Sequence, residues 1–286
     1  MKLAVSSYSF TNALEDGRMT LFDVIPKAKE MGFEGVEITQ QNNLSVDEMK
    51  KMAATLKKQS EQFDMPIVSY LVGADFLRND VDAEVARLRD HVEIAAILGA
   101  NRMRHDAARG MDADGNAVPF EKALPLIVKG YRAVTEYAAG LGVHTMIENH
   151  GFYAQDACRV KAIVEGVNHP NFGWLVDMGN FLCADEKPIE SVSVAAPYAV
   201  HCHVKDFHVH TAEEGKPESG WFATRGGNFL RGAIACHGCV PVKGCLKLLK
   251  DAGYDGWVSL EFEGMEDCLM ALPEGFKNVS KILSEI

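Results

Sequence analysis

The chain has 286 residues, of which 47% are hydrophobic and 24% are charged, a composition typical of globular proteins with a large buried core. The formal net charge of -11 would repel a phosphate backbone, which argues against nucleic acid as a partner. No apolar run is long enough to cross a bilayer, and the first ten residues lack the apolar core of an export signal, so we expect a cytoplasmic protein.

Strand-like and helix-like segments alternate from one end of the sequence to the other. The predicted strands are short apolar runs at 2–10, 33–39, 65–71, 100–106, 143–148, 172–177, 199–206 and 256–263. The predicted helices have apolar residues at helical spacing and lie at 20–32, 45–63, 81–99, 120–142, 156–167, 188–197, 242–253 and 276–286. Ser45 and Glu48 have the spacing of a capping box at the start of the second helix, and Gly32 is a stop signal for the first.

Eight strands that alternate with eight helices predict an α/β fold, the (β/α)8 TIM barrel, as a single domain over residues 1–286. A doubly wound open sheet is the competing fold. It usually has fewer strands, and neither a GxGxxG turn nor a GxxxxGK[ST] turn follows any predicted strand. A long loop, at about residues 207–240, follows the seventh strand; loops of this length are often lids or binding loops.

The seven cysteines are an odd number in a long chain, which favours reduced thiols over a disulfide framework. Two of them, Cys236 and Cys239, enclose a His-Gly pair in the long loop. A zinc ribbon would require a second Cys/His pair at matching spacing, and a redox pair would be expected at the start of a helix after a strand. Neither context is present, so we interpret both as ordinary loop thiols.

Four side chains that can bind a divalent cation stand at the ends of strands in the second half of the sequence: Glu148, Asp177, His203 and Glu261. Because a barrel gathers the carboxyl ends of its strands at one mouth, these four groups are expected to surround a single ion. Three carboxylates and one imidazole suit Mn²⁺, Mg²⁺ or Co²⁺, and Zn²⁺ is an alternative. For Glu148 and Asp177, a salt bridge to a barrel lysine or arginine is the competing interpretation. His201 is expected to be a core histidine.

The motifs at these positions resemble the xylose isomerase-like TIM barrels, a family that includes sugar isomerases and epimerases, inosose dehydratases and endonuclease IV. The resemblance rests on IENH ending at His150, VDMGN ending at Asn180, HVKD ending at Asp206 and SLEFE ending at Glu263, and it extends over almost the whole chain. It implies one xylose isomerase-like domain in which Glu148, Asp177, His203 and Glu261 bind one divalent metal. In epimerases of the family the first and last of these glutamates move the proton, which implies that Glu148 and Glu261 are the catalytic pair.

Six further side chains are candidates for contact with the hydroxyl or carboxylate groups of a substrate. Some lie at or just beyond strand ends and the others lie in the long loop; they are Glu37, His105, His150, Lys205, Arg225 and Arg231. For the strand-end residues a role in packing or in orienting the metal ligands is the alternative. For the loop arginines the alternative is solvent or a subunit contact. The long loop replaces the short Gly-x-Gly connection of many relatives, so substrate identity does not follow from the resemblance.

The leading hypothesis is a divalent-metal-dependent sugar isomerase or epimerase that acts on a small ketose, keto-cyclitol or oxidised sugar through an enediolate. A dehydratase of the inosose dehydratase type begins with the same proton abstraction and is the alternative. An abasic-site endonuclease fits the acidic chain poorly, and a non-catalytic sugar-binding barrel has no need of a full metal shell. The expected partner is a small carbohydrate, with neither nucleic acid nor membrane. Assembly as a dimer or tetramer is left open.

Overall fold

The computed structural model describes all residues, 1–286, and its main feature is a closed barrel of eight strands in the order β1-β11-β7-β6-β5-β4-β3-β2. All the described pairs within the barrel are parallel. The predicted (β/α)8 barrel is therefore confirmed. The barrel strands are β1 (Lys2–Ser6), β2 (Gly35–Thr39), β3 (Ile67–Val72), β4 (Arg102–His105), β5 (His144–Glu148), β6 (Phe172–Asp177), β7 (Ala199–Val204) and β11 (Trp257–Leu260).

Nine α-helices accompany the strands. They are α1 (Thr11–Glu15), α2 (Val24–Glu30), α3 (Val46–Gln62), α4 (Val81–Leu98), α5 (Phe120–Ala139), α6 (Ala157–Val167), α7 (Pro188–Ala195), α8 (Val242–Asp251) and α9 (Cys268–Glu285). The predicted capping box is confirmed, because the Ser45 side chain accepts from the Glu48 N–H while the Glu48 carboxylate accepts from the Ser45 N–H. Several elements differ from expectation: the first strand ends at Ser6 instead of residue 10, α1 was not predicted, α2 is shorter than the segment predicted at 20–32, and α9 begins eight residues earlier than the segment predicted at 276–286. None of the helices has both the length and the apolar character that crossing a membrane requires.

The segment predicted as one long loop contains a small antiparallel sheet instead. Its strands are β8 (Asp206–His210), β9 (Phe222–Ala223) and β10 (Phe229–Ala233), in the order β8-β10-β9. The inner side of this sheet is apolar, because Phe207 and Leu230 pack with Cys183. The sequence did not reveal these strands because β9 has only two residues and β8, although its residues alternate, begins at the last residue of the predicted seventh strand.

The chain divides by its contacts into two compact units, Met1–Glu37 with Val176–Ile286 and Ile38–Leu175. In the second unit the buried ring of Tyr131 stacks on His105, with centroids 4.2 Å apart, and meets Phe76 edge-on at 5.6 Å. Gly130 makes this packing possible, because a Cβ there would lie 2.5 Å from the Phe76 ring. In the first unit the register of the parallel strands sets Val204 level with Leu260, which brings the carboxyl ends of β7 and β11 side by side.

Candidate metal centre

Three of the predicted ligands meet at the carboxyl ends of β6, β7 and β11. Asp177 is the last residue of β6, His203 lies one residue before the end of β7, and Glu261 directly follows β11. The Glu261 N–H donates to the carbonyl of Val204, which fixes the height of Glu261 against β7. The imidazole Nδ1 of His203 lies 3.5 Å from Glu261 Oε2 and 3.9 Å from Asp177 Oδ2.

The separations between these groups can be compared with those that a bound ion imposes. Glu148, Asp177, His203 and Glu261 each offer one ligand atom, all these atoms lie within 4.8 Å of one another, and all four residues are buried. Ligand atoms about 2.1 Å from one ion lie about 3 to 4 Å apart. The 4.8 Å limit is somewhat wider than this, and the buried set of three carboxylates and one imidazole has the donor atoms to hold a divalent cation.

The ring of His203 is oriented by Glu37. The Nε2 atom of His203 lies 2.8 Å from Glu37 Oε2, and both side chains are fully buried. Because an ionised carboxylate only accepts hydrogen bonds, Nε2 carries a proton and donates it to Glu37, and the ring then turns Nδ1 toward Asp177 and Glu261. A carboxylate behind a histidine in this way is the usual second partner of a metal-binding imidazole.

Glu37 also contacts His201, the neighbouring inward-facing residue of β7. The second oxygen of Glu37 faces His201 Nε2, which lies 3.0 Å from the hydroxyl of Ser259. Burial raises the pKa of Glu37, but the two histidines lower it by more, so its pKa lies well below the usual value. Glu37 was predicted to contact substrate; the structure places it, fully buried, against two histidines. His201 has the core position that was expected.

Lys205 places a positive charge among the acids of the first unit. Its Nζ lies 2.7 Å from Glu261 Oε2 and 3.4 Å from Asp177 Oδ2, and it donates to Asn180 Oδ1 at 3.2 Å. Burial raises the pKa of Glu261, but Lys205 and then His203 lower it well below the usual value. Glu261 is therefore ionised at neutral pH.

In the VDMGN motif, Gly179 shapes the backbone turn that holds the Asp177 carboxylate in place. A Cβ on Gly179 would lie 2.5 Å from the carbonyl oxygen of Lys205, so only glycine allows this close approach. The Asp177 carboxylate accepts from the N–H groups of Gly179 and Asn180 at 2.8 and 2.9 Å. The turn after β6 thus fixes Asp177 and holds Asn180 within reach of Lys205.

Glu148 forms a salt bridge with an arginine of the second unit. Its Oε2 lies 2.6 Å from Arg104 Nε, the predicted alternative of a salt bridge to a barrel arginine. Arg104 also lies 3.0 Å from Asp106, and Asp106 lies 2.8 Å from His150 Nδ1. Burial raises the pKa of Asp106, but Arg104 and His150 lower it well below the usual value. His150, predicted to contact substrate, is thus joined to Glu148 through two intervening side chains.

His105 takes a different position from the other strand-end candidates. It is fully buried, its Nδ1 lies 3.0 Å from the carbonyl of Asp106, and its ring stacks on Tyr131. Burial lowers the pKa of His105 to about 4, so the ring is neutral at physiological pH. The structure places this predicted substrate contact within the aromatic packing of the second unit.

The two loop arginines lie in the region of the small sheet. Arg225 lies in the turn between β9 and β10, where its N–H donates to the carbonyl of Cys183 at 2.9 Å. Arg231 lies on β10, and its guanidinium stacks 5.2 Å from the centre of the Trp221 ring. Neither of these contacts involves one of the four predicted ligands.

Sequence reasoning missed two residues of this region, Arg104 and Asp106. They stand at alternate positions in and just after β4, and Arg104 is buried. A buried guanidinium needs an anionic partner, so an arginine in the interior of a predicted barrel strand was the available signal. The segment that contains Cys236 and Cys239, residues 236–240, forms a turn that Asp206 fixes. The Asp206 carboxylate accepts hydrogen bonds from the N–H groups of Gly238 and Val240.

Comparison with known proteins agrees with this architecture. The family model described as xylose isomerase-like TIM barrel matches residues 25–285, so the chain belongs to that family. It is similar to an inosose dehydratase of Clostridium beijerinckii, at 23% identity over 276 residues, which covers 92% of this chain and 90% of the relative.

Two solved structures show the same fold. The IOLI protein with a bound zinc atom matches with a TM-score of 0.79 at 16% identity, over 100% of this chain and 99% of its own. A D-psicose 3-epimerase, determined in the presence of D-fructose, matches with a TM-score of 0.71 at 15% identity, over 99% of each chain. The identities are low, so these matches establish the barrel and leave the reaction to be argued from the site.

Proposed function

We propose that this protein is a divalent-metal-dependent sugar isomerase or epimerase that abstracts a proton next to the carbonyl of a small ketose, keto-cyclitol or oxidised sugar. The observation that carries the proposal is the buried group of Glu148, Asp177, His203 and Glu261, whose ligand atoms lie within 4.8 Å of one another. Its first and last members are carboxylates, which are suitable groups for removing and returning a carbon-bound proton.

A bound divalent cation would supply Lewis-acid chemistry, polarising the substrate carbonyl and acidifying the neighbouring C–H. Mn²⁺, Mg²⁺ and Co²⁺ suit the donor set best, and Zn²⁺ is an alternative that the zinc-bound IOLI protein supports. Glu37 holds the His203 ring so that Nδ1 faces the site. Asp177 is held by the backbone turn at Gly179.

The two catalytic glutamates differ in their surroundings. Glu261 is ionised at neutral pH because Lys205 and His203 stabilise its charge, so we assign it the first proton abstraction. Glu148, positioned by Arg104, is assigned the delivery of a proton to the enediolate; it takes that proton from solvent beforehand, and Glu261 releases the proton it removed to solvent afterwards. Lys205 also lies 3.6 Å from Glu263 Oε2, and its ammonium is available to donate to a substrate hydroxyl or to the developing enediolate oxygen.

A dehydratase is the second candidate, and two observations favour it. The similarity to an inosose dehydratase extends over 92% of the chain. In addition, the buried Lys205 ammonium beside Glu261 provides a proton donor next to the base, as the departure of a β-hydroxyl group requires. Both reactions begin with the same abstraction, so the assignment of Glu261 is common to them.

Solvent deuterium exchange tests the proposal and separates the two reactions. Enzyme loaded with Mn²⁺ is incubated in D₂O with D-fructose and with an inosose. Deuterium in recovered sugar and in its epimer, without an absorbing enone, supports the isomerase; loss of water with an enone supports the dehydratase. The proposal fails if neither sugar exchanges or reacts with any of Mn²⁺, Mg²⁺, Co²⁺ or Zn²⁺.

Substitution tests the assigned base. Glu261→Gln removes the proton acceptor while keeping the shape, and we expect the exchange rate to fall by about 10²-fold or more. Glu274→Gln on α9, whose carboxylate pairs with Lys277 at the surface, is the matched control and is expected to exchange at the wild-type rate. Equal rates in both variants would contradict the role of Glu261.

A further inference from the structure

A cavity of about 390 Å³ opens within the second unit, at the ends of β2 and β3 and beside the start of α4. Polar side chains dominate its lining, and three of them are arginines, an unusual concentration in a chain of net charge -11. The residues that matter for its charge are Asp75, Arg78, Glu84, Arg87 and Arg109. We refer to it as the arginine cavity.

The two carboxylates of the arginine cavity, Glu84 and Asp75, already have hydrogen-bond or ion-pair partners within the protein. Glu84 is buried and lies 2.8 Å from Arg87 Nη2, so these two charges compensate each other. The buried Asp75 carboxylate accepts from the backbone N–H groups of Leu77, Arg78 and Arg109 at 3.0, 3.1 and 3.3 Å. Neither carboxylate pairs with the guanidinium of Arg78 or Arg109.

The remaining two guanidinium groups have no such compensation. Arg78 and Arg109 are exposed, and their side chains make neither an ion pair nor a hydrogen bond within the chain. Asp75 binds the backbone of both residues, which ties their two positions to one carboxylate. Two guanidinium forks beside one cavity, with Glu84 compensated by Arg87 and Asp75 held by backbone N–H groups, leave an excess of positive charge suited to carboxylate or phosphate oxygens.

The arginine cavity connects with the surroundings of Glu148 through Gly73. Gly73 lines the cavity, and a Cβ on it would lie 3.9 Å from Asp106 Oδ2. Asp106 lies 3.0 Å from Arg104, which in turn lies 2.6 Å from Glu148. A ligand with one end at Arg78 and Arg109 could therefore extend toward the side chains that position Glu148.

We propose that the substrate carries an anionic group, a carboxylate or a phosphate, and that Arg78 and Arg109 bind it in the arginine cavity. This inference rests on the proposed function, because it takes Glu148 to be part of the reaction site. It narrows the substrate class from small keto sugars in general to those with a negative charge at the end away from the reacting carbon.

Three ketoses with the same skeleton provide the test: D-fructose, D-fructuronate and D-fructose 6-phosphate, which carry at C6 a hydroxyl, a carboxylate and a phosphate. Their binding to Mn²⁺-loaded enzyme is measured by calorimetry. We expect at least one anionic ketose to bind about tenfold or more tightly than D-fructose, and the preferred one identifies the anion. The double variant R78Q/R109Q should lose that preference and bind D-fructose within about twofold of wild type.

Arg89→Gln is the matched control, because it removes one positive charge from an exposed side chain of the same α4 that bears Arg87, and it lies outside the cavity. It should keep the preference for the anionic ketose. The inference is overturned if the three ketoses bind alike, if R89Q weakens the anionic ketose as much as R78Q/R109Q, or if inorganic phosphate alone binds as tightly as D-fructose 6-phosphate, which would show an adventitious ion only.

The same measurements distinguish this inference from the proposed function. Binding that depends on Arg78 and Arg109, without deuterium exchange in any ketose, would support the anion site and contradict the proposed reaction. Deuterium exchange in D-fructose with no effect of charge or of R78Q/R109Q would support the reaction and contradict the anion site.

Discussion

Glu37 determines which nitrogen of His203 faces the acids, although it is not among the four predicted ligands. One carboxylate serves two imidazoles, from His201 and His203, in a fully buried position. A carboxylate there can only accept, whereas a glutamine amide would present an N–H to at least one imidazole N–H. An amide at position 37 would therefore disturb the protonation of the neighbouring histidines, His201 and His203.

From this arrangement we predict that Glu37→Gln weakens Mn²⁺ binding by about 10- to 100-fold, because the ring of His203 loses its fixed tautomer and orientation. Calorimetric titration with Mn²⁺ measures the effect, and circular dichroism checks the fold. Ser259→Ala is the control, since Ser259 contacts His201 and leaves the bond from Glu37 to His203 intact. Unchanged Mn²⁺ affinity in Glu37→Gln would contradict the positioning role.

At the level of elements, the turn after β6 must pass close to the end of β7. Gly179→Ala would place a Cβ 2.5 Å from the carbonyl oxygen of Lys205, a contact that requires backbone movement. We expect a loss of about 1–3 kcal/mol in the free energy of unfolding and weaker Mn²⁺ binding, because Asp177 and Lys205 shift together. Urea denaturation measures the first effect and calorimetry the second.

Gly140→Ala is the control for that prediction. Gly140 has a φ of -67°, and the nearest atom to an added Cβ is a carbonyl oxygen at 3.4 Å. Alanine therefore fits at position 140, and stability within about 0.5 kcal/mol of wild type is expected. If the two variants lose equal stability, the close approach at Gly179 is not the cause.

The carboxylate of Asp185 is one of the links between the small sheet and the rest of its unit. Asp185 accepts from the Thr224 hydroxyl at 2.7 Å, from the Asn228 amide at 2.8 Å and from the Gly226 N–H at 2.5 Å. Asp185 has a φ of 59°, a conformation that asparagine also tolerates. An Asn substitution therefore changes the hydrogen bonds with little change in backbone strain.

We predict that Asp185→Asn opens the turn at residues 224–228 locally, because an amide group replaces one of the two accepting oxygens. Hydrogen exchange in β9 and β10 should accelerate, while the thermal midpoint changes by only a few degrees. Mass spectrometry of exchanged peptides measures this. Protection of residues 222–233 equal to wild type would show that the apolar packing of Phe207 and Leu230 alone holds the sheet.

At the scale of the molecule, the sequence predicted the barrel well because eight buried strands and eight amphipathic helices leave strong periodic signals. The same reasoning placed Glu148, Asp177, His203 and Glu261 at strand ends, and a barrel brings such ends together. The partner of His203 could not be read in this way, since Glu37 stands 166 residues away and no local pattern joins them. The sequence analysis named a salt bridge between Glu148 and a barrel lysine or arginine as an alternative, but it did not identify Arg104 as the partner.

The stability of the whole chain should depend on pH through histidines that are buried in the neutral form. His91 on α4 lies 3.0 Å from Arg87 Nη1, which donates to Nε2, so Nδ1 carries the proton and donates to the Tyr70 hydroxyl at 3.1 Å. Burial, followed by Arg87, lowers the pKa of His91 from 6.5 to about 4. A second proton on the ring would face the guanidinium.

Between pH 6.5 and 4 the unfolded chain consequently binds more protons at this residue than the folded chain does. The free energy of unfolding should therefore fall as the pH falls through this window, by on the order of 3 kcal/mol from His91 at pH 4 and below. His105, with a pKa of about 4, adds a change of the same sign.

Urea denaturation at pH 7.5, 6 and 5 measures this dependence. His91→Gln removes the titrating ring, so it should cost stability at pH 7.5 yet lose less than wild type as the pH is lowered. Leu88→Ala, a fully buried position on the same helix, destabilises the fold without removing a titrating group and should keep the wild-type slope. Parallel curves for wild type and His91→Gln would mean that the unfolded chain gains no extra proton at His91, and that acid lability arises elsewhere.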